Sequence, residues 1–175
     1  MTTDVSGAPV GASLRMLALV TDAWGGHGGI AQFNRDYLRA LGSTPGVADL
    51  LVLARTGSPD SGSPPPGVAF HRVRRGGKAG YFAMALRAAL TMRPDCIVIG
   101  HINLTVLGVA LARLVGARTV LHIHGAEAWR PRRSRWINRM VRGVDLVASV
   151  SALTFARFNA WSPDLKDRGF LLPCC

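Results

Sequence analysis

Short runs that are apolar at nearly every position alternate along this chain with longer runs in which apolar residues recur every three or four positions. Leu17-Ala18-Leu19-Val20 and Cys96-Ile97-Val98-Ile99-Gly100 are of the first kind, the composition of strands buried on both faces. Stretches such as Ile30 to Leu41 are of the second kind, the stripe of an amphipathic helix. The pattern predicts strands at 15–21, 49–54, 68–73, 95–100, 118–123, 145–150 and 170–172. It predicts helices at 30–41, 79–92, 104–115, 135–142 and 152–160. Such alternation implies an α/β Rossmann-like three-layer sandwich, with a mostly parallel sheet of six to seven strands and helices on both faces.

Punctuation residues divide the chain no further than this. Residues 56–67, with four prolines, three serines and three glycines, cannot continue either element and read as a surface loop. Ser151 reads as a helix N-cap, although Thr154 stands where a full capping box has Glu or Gln. No internal repeat or second domain is evident, so residues 14–173 read as one domain, 1–13 as a disordered leader and 174–175 as a tail. The leader carries Asp4 and no basic start, unlike a signal peptide. Ile102 to Leu121, the longest apolar stretch, is broken by Arg113, Arg118 and glycines, which argues against a membrane span.

Composition narrows the class. A chain of 175 residues with 49% hydrophobic and 18% charged residues can bury a real core. Its 21 Lys+Arg against 10 Asp+Glu give a formal net charge of +11, which favours an anionic partner. Cys96, Cys174 and Cys175 show neither metal-ligand spacing nor a disulfide framework, so a reducing, cytoplasmic location is expected.

In an open parallel sheet, ligands bind beyond the carboxyl ends of the strands. After the first predicted strand comes Thr21-Asp22-Ala23-Trp24-Gly25-Gly26-His27-Gly28-Gly29, which reads either as a tight turn or as an anion site at a helix start. After the fourth comes Gly100-His101-Ile102-Asn103; after the fifth, His122-Ile123-His124-Gly125-Ala126-Glu127. These strand ends bring His27, His101, His124, Asn103 and Glu127 to one rim. His122 reads as a buried, hydrogen-bonded residue. No metal site is expected, because the histidines lack the helical i, i+4 spacing that makes such sites recognisable. Gly26-His27-Gly28-Gly29-Ile30-Ala31 loosely satisfies the dinucleotide fingerprint, so an NAD(P)-binding protein is an alternative. Against it, three residues separate the strand from the loop, and Arg55 rather than an acid follows the second strand.

Basic residues cluster at 72–93 and again at 130–142, each stretch free of acids. Arg132, Arg133, Arg135, Trp136 and Arg139 carry the second group. It reads either as a solvated helix face or as a basic module for an anionic membrane surface, which would make the protein peripheral on the inner face of the membrane. No helix-turn-helix, zinc or stacking-aromatic motif is present, and nucleic acid is not an expected partner.

In order and spacing, four segments together resemble the N-terminal domain of the retaining glycosyltransferases of GT-B fold known as family 4. They are Gly28-Gly29 at the head of a helix continuing Phe33, Tyr37, Leu38 and Leu41; Arg93-Pro94-Asp95 leading into IVIGHINL; LHIHGAEAW; and VDLVASVS. The resemblance covers about residues 15–173. It implies a nucleotide-sugar-dependent transferase in which this domain holds a sugar or lipid-linked acceptor and closes over the donor. His124 is then the catalytic residue, contacting the transferring sugar near the anomeric carbon. Gly28 and Gly29 approach the donor phosphates or the acceptor, while His101, Asn103 and Glu127 line the cleft as substrate-binding residues. Retaining transfer needs stabilised leaving-group charge more than a strong protein base.

Family members continue beyond a Leu-Pro pair into a second Rossmann-like domain that grips the nucleotide, whereas this sequence stops at Leu172-Pro173-Cys174-Cys175. The expectation is a truncated protein, inactive alone, that binds no cofactor by itself. A nucleotide sugar becomes its donor only when a separate C-terminal domain is supplied as partner.

Overall fold

The computed structural model describes residues 13–24, 27–56, 63–73 and 77–173. The expected leader and tail, Gly25, Gly26, Arg74 and Arg75 lie outside these residues, apart from Ser13. Seven strands form one all-parallel sheet: β1 (Leu14–Val20), β2 (Val47–Ala54), β3 (Val68–Arg72), β4 (Cys96–Ile99), β5 (Arg118–Ile123), β6 (Leu146–Ser149) and β7 (Gly169–Leu171). Five helices accompany them: α1 (Gly29–Gly42), α2 (Gly77–Met92), α3 (Thr105–Val115), α4 (Arg135–Val141) and α5 (Ala152–Asn159). The strand order is β3-β2-β1-β4-β5-β6-β7. The strands are added in one direction from β1 to β3 and in the other from β4 to β7, so a switch point lies between β1 and β4, where doubly wound sheets take their ligands.

The predicted elements are all present, with ends moved by one or a few residues. β1 stops at Val20, and just beyond it the Thr21 carbonyl accepts from the Thr56 backbone N–H (2.8 Å) and hydroxyl (2.7 Å). The helix expected from Leu104 starts at Thr105, after a 3-10 turn over Ile102–Leu104. Pattern reading also missed the 3-10 turns at Ala126–Ala128 and Pro163–Arg168, whose three to six residues are too few to show a period.

Alternate residues of each strand feed two cores. Leu17, Leu19, Ile97, Ile99, Leu121 and Ile123 pack beneath α2, α3 and α4; Met16, Ala18, Val20, Leu50, Val52 and Val98 pack with Leu38 of α1. Each fully buried leucine or isoleucine contributes about 1.5–3 kcal/mol relative to exposure. At the amino end of the sheet, Asp95 accepts from the Arg15 backbone N–H at 2.9 Å. Asp145 Oδ2 accepts from the Thr119 N–H (2.9 Å) and hydroxyl (2.8 Å). These bonds pin the register at the end remote from the crevice.

Candidate functional site

The crevice is built from the residues that follow β1, β4 and β5. Gly28 is the N-cap of α1, with φ 102° and ψ 168°. That backbone is open to glycine and costly for a side chain. A Cβ at Gly28 or at Gly29 would meet nothing within 4 Å, and both residues are exposed. The space above this helix start is therefore open. Asn34 and Arg35 of α1 donate to the carbonyls of Asp22 and Ala23, each at 2.8 Å, and so hold the loop to the helix.

Gly100 plays a different part. A Cβ there would lie 2.8 Å from Val20 Cγ1 and 3.2 Å from the Leu19 carbonyl oxygen. Only glycine lets the end of β4 lie this close to β1.

His101 follows, half-buried, and its Nδ1 accepts the Asn103 backbone N–H at 3.1 Å. The proton of the neutral ring then sits on Nε2, leaving a donor free. His124 has the opposite arrangement. Its Nε2 lies 3.1 Å from the Gly100 carbonyl oxygen. A carbonyl only accepts, so Nε2 carries the proton and Nδ1 keeps its lone pair. Burial holds both rings below the ordinary imidazole value. Glu127 opposes that effect at both, and the Gly100 bond opposes it at His124. At neutral pH the two rings are uncharged, one offering a donor and the other an acceptor.

Glu127 organises this corner through the backbone. Its Oε1 accepts the N–H groups of His124 (2.6 Å) and Gly125 (3.0 Å), closing the turn out of β5. The Trp161 indole N–H donates to the Ala128 carbonyl at 2.9 Å. Arg132 is half-buried, and its guanidinium donates to the Glu127 carbonyl at 3.4 Å.

His101, His124 and Glu127 come together at the rim as expected from the sequence. Asn103 contributes its backbone to His101, and its side chain is exposed. His27 is exposed on the loop before α1. His122 is a correction: it is 1% exposed, but neither ring nitrogen has a hydrogen-bond partner. It lies edge-on under Tyr37 and Phe33, at 4.4 and 5.6 Å between ring centroids, and no polar group among the described residues bonds to it. Arg133, Arg135, Trp136 and Arg139 are exposed on and just before α4, away from the histidines, while Arg132 reaches the rim.

Two neighbours of the rim are not among the site residues expected from the sequence. Phe33 sets its ring at 5.0 Å, edge-on to His124. Its helical spacing marks it as an inward residue, yet only the fold shows what it meets. Arg55, just past β2, projects positive charge that lowers the His101 pKa further.

Residues 28–166 match the model of a glycosyl transferase 4-like domain. The chain belongs to that family. No curated protein matches it in sequence. Among solved structures, this glycosyl transferase 4-like domain is similar to Anabaena HepE in complex with UDP-glucose, with a TM-score of 0.66 and 16% identity over 91% of this chain and 43% of that one. It is also similar to the UDP-GlcNAc 2-epimerase from Methanocaldococcus jannaschii, with a TM-score of 0.56 and 13% identity over 89% and 45% of the two chains. A third is the lipopolysaccharide outer core galactosyltransferase WaaB, with a TM-score of 0.54 and 9% identity over 86% and 44%. The chain spans less than half the length of these structures. At such identities the likeness establishes the fold alone. No helix among the described residues is long and apolar enough to cross a membrane.

Proposed function

We propose that this domain forms the acceptor-side wall of a cleft for nucleotide-sugar-dependent glycosyl transfer. The observation that carries the reading is the pair of neutral histidines at the switch point, His101 offering Nε2–H and His124 offering the Nδ1 lone pair. A sugar hydroxyl both donates and accepts, so one hydroxyl or two adjacent ones satisfy both rings. His124 then orients the transferring sugar near its anomeric carbon, and the open helix start at Gly28-Gly29 leaves room for a phosphate or the acceptor. Asn103 and Glu127 complete the lining, Glu127 by fixing the turn that presents His124.

In this reading the donor nucleotide is held mainly by a second wall, supplied by a C-terminal domain, and the present chain alone is inactive. HepE was solved with UDP-glucose and spans more than twice the residues that align here. For the NAD(P) alternative, β2 ends at Ala54 and is followed by Arg55, which offers no carboxylate to a ribose and suits only the 2′-phosphate of NADP.

Two titrations test the proposal. Calorimetry of the chain with nucleotide sugars should give little or no heat; tight binding would contradict a missing donor wall. Addition of mono- and oligosaccharide acceptors, followed by NMR, should shift the imidazole signals of His101 and His124. Acceptor shifts confined to other residues, or none with any sugar, would remove the basis for the reading.

A further inference from the structure

The helices α2, α3 and α4 cover one face of the sheet and together contain no acidic residue. Their charged side chains are Lys78, Arg87, Arg113, Arg135 and Arg139, and all five are exposed. The ion pair that involves this layer among the described residues is Arg142–Asp164, at the far end of α4, 3.9 Å long and exposed on both sides. The positive charge of the layer is therefore almost wholly uncompensated.

The same layer holds large apolar side chains in water. Phe82 and Leu90 on α2, Leu114 at the end of α3 and Trp136 on α4 are 49, 51, 60 and 68% exposed. An outer helix needs one apolar face, turned to the core. α2 has two, with Tyr81, Ala85 and Ala89 buried inward and Phe82 and Leu90 turned outward. The helices pack side by side in the order α2-α3-α4, so these groups share one broad surface. Leu90, Arg93 and Leu114 line a hollow between α2 and α3. Arg135, Trp136, Asn138, Arg139 and Arg142 border a shallow concavity of about 700 Å³ beside α4.

A solvated helix face accounts for the arginines but not for the exposed Phe, Leu and Trp. Phe82 and Trp136 are exposed aromatics of the kind that stack on bases, but the exposed Leu90 and Leu114 beside them offer a nucleic acid nothing. An anionic bilayer suits both sets of groups at once, since apolar side chains sink between the headgroups while Lys and Arg meet the lipid phosphates. We infer that the α2-α3-α4 face docks on an anionic lipid surface, with Trp136, Phe82, Leu90 and Leu114 inserted and the five cations at headgroup level. This inference stands without the sugar-transfer reading, because it uses the helical layer and none of the rim histidines.

The test is sedimentation of the full chain with vesicles of phosphatidylcholine, with and without phosphatidylglycerol, at low and high salt. Binding is expected with phosphatidylglycerol alone, weakened by salt, and accompanied by a blue shift of tryptophan emission. Trp136→Ser should abolish the shift, and Arg135→Ser with Arg139→Ser should lower partition on the order of tenfold. Circular dichroism checks that these surface variants keep the fold. Equal partition to both lipids, no emission change on binding, or wild-type binding by the variants would overturn the inference. So would equally tight, salt-sensitive binding to duplex DNA.

Discussion

The imidazole of His124 is tied to the backbone carbonyl of Gly100, with Nε2 3.1 Å from the oxygen. This bond joins the ends of β5 and β4 beside the crevice and fixes which ring nitrogen of His124 faces a ligand. The histidine is presented by its neighbour strand as much as by its own.

His124→Ala removes that bond and leaves the Gly100 carbonyl without its imidazole partner. A loss of about 1–2 kcal/mol in stability is expected. In an acceptor titration followed by NMR, the His101 signal should no longer move. If it still responds as in the wild type, His124 takes no part in holding the acceptor.

Glu127→Ala leaves the N–H groups of His124 and Gly125 without their carboxylate and should cost about 1–3 kcal/mol in urea unfolding. Glu127→Gln keeps an acceptor and should cost less. Both variants remove the negative charge that raises the pKa of His101 and His124. NMR titration should then find both rings protonating at lower pH than in the wild type.

Gly100→Ala forces a Cβ to 2.8 Å from Val20 Cγ1 and 3.2 Å from the Leu19 oxygen, with a predicted cost of about 1–3 kcal/mol. Gly28→Ala meets no neighbour but must hold φ near 102°, a strain of about 1–2 kcal/mol. Gly29→Ala has neither problem, and its unfolding midpoint should stay within about 0.5 kcal/mol of the wild type. A Gly29→Ala protein as unstable as Gly100→Ala would contradict this distinction.

Acid should destabilise the fold through its buried histidines. Burial holds His122 down at about 3, against an ordinary value of 6.5, and also lowers His101 and His124. Below about pH 6.5 the unfolded chain binds protons that the folded chain refuses. The stability present above that pH is thus lost as pH falls, by up to about 1.4 kcal/mol per pH unit for each such group. His122→Leu removes two unpartnered ring nitrogens from the core. It should keep or raise the unfolding midpoint at neutral pH and flatten the loss between about pH 6 and pH 4. An unchanged acid slope would show that His122 does not carry it.

Most of the architecture was legible in the chain because both-sided burial and helical stripes leave different periods in the sequence. The runs at 95–100 and 118–123 read as strands and form β4 and β5. The rim histidines were legible for the same reason: once strand ends are known, parallel connection puts the following residues at one edge. Three-residue turns such as Ala126–Ala128 carry no period, and the role of Phe33 depends on His124, far away in sequence. Ser149 donates its hydroxyl to the Ser151 carbonyl at 2.9 Å, beside the capping bond that Ser151 Oγ accepts from the Thr154 N–H at 3.1 Å. Only the second of these bonds follows from residue type.

The sequence by itself determined the alternating elements, the parallel sheet and the loops at its carboxyl edge, since these follow from local periodicity and from the φ/ψ freedom of glycine. Tertiary structure decided what each loop residue does. Gly28 and Gly100 look alike in sequence, yet one adopts a backbone open to glycine and the other makes room for β1 against β4. His122 and His124 lie two residues apart on one face of β5; packing under Phe33 and Tyr37 buries the first without a partner, and the end of the strand frees the second to meet Gly100. Hydrogen bonding and desolvation depend on neighbours that only the folded chain assembles.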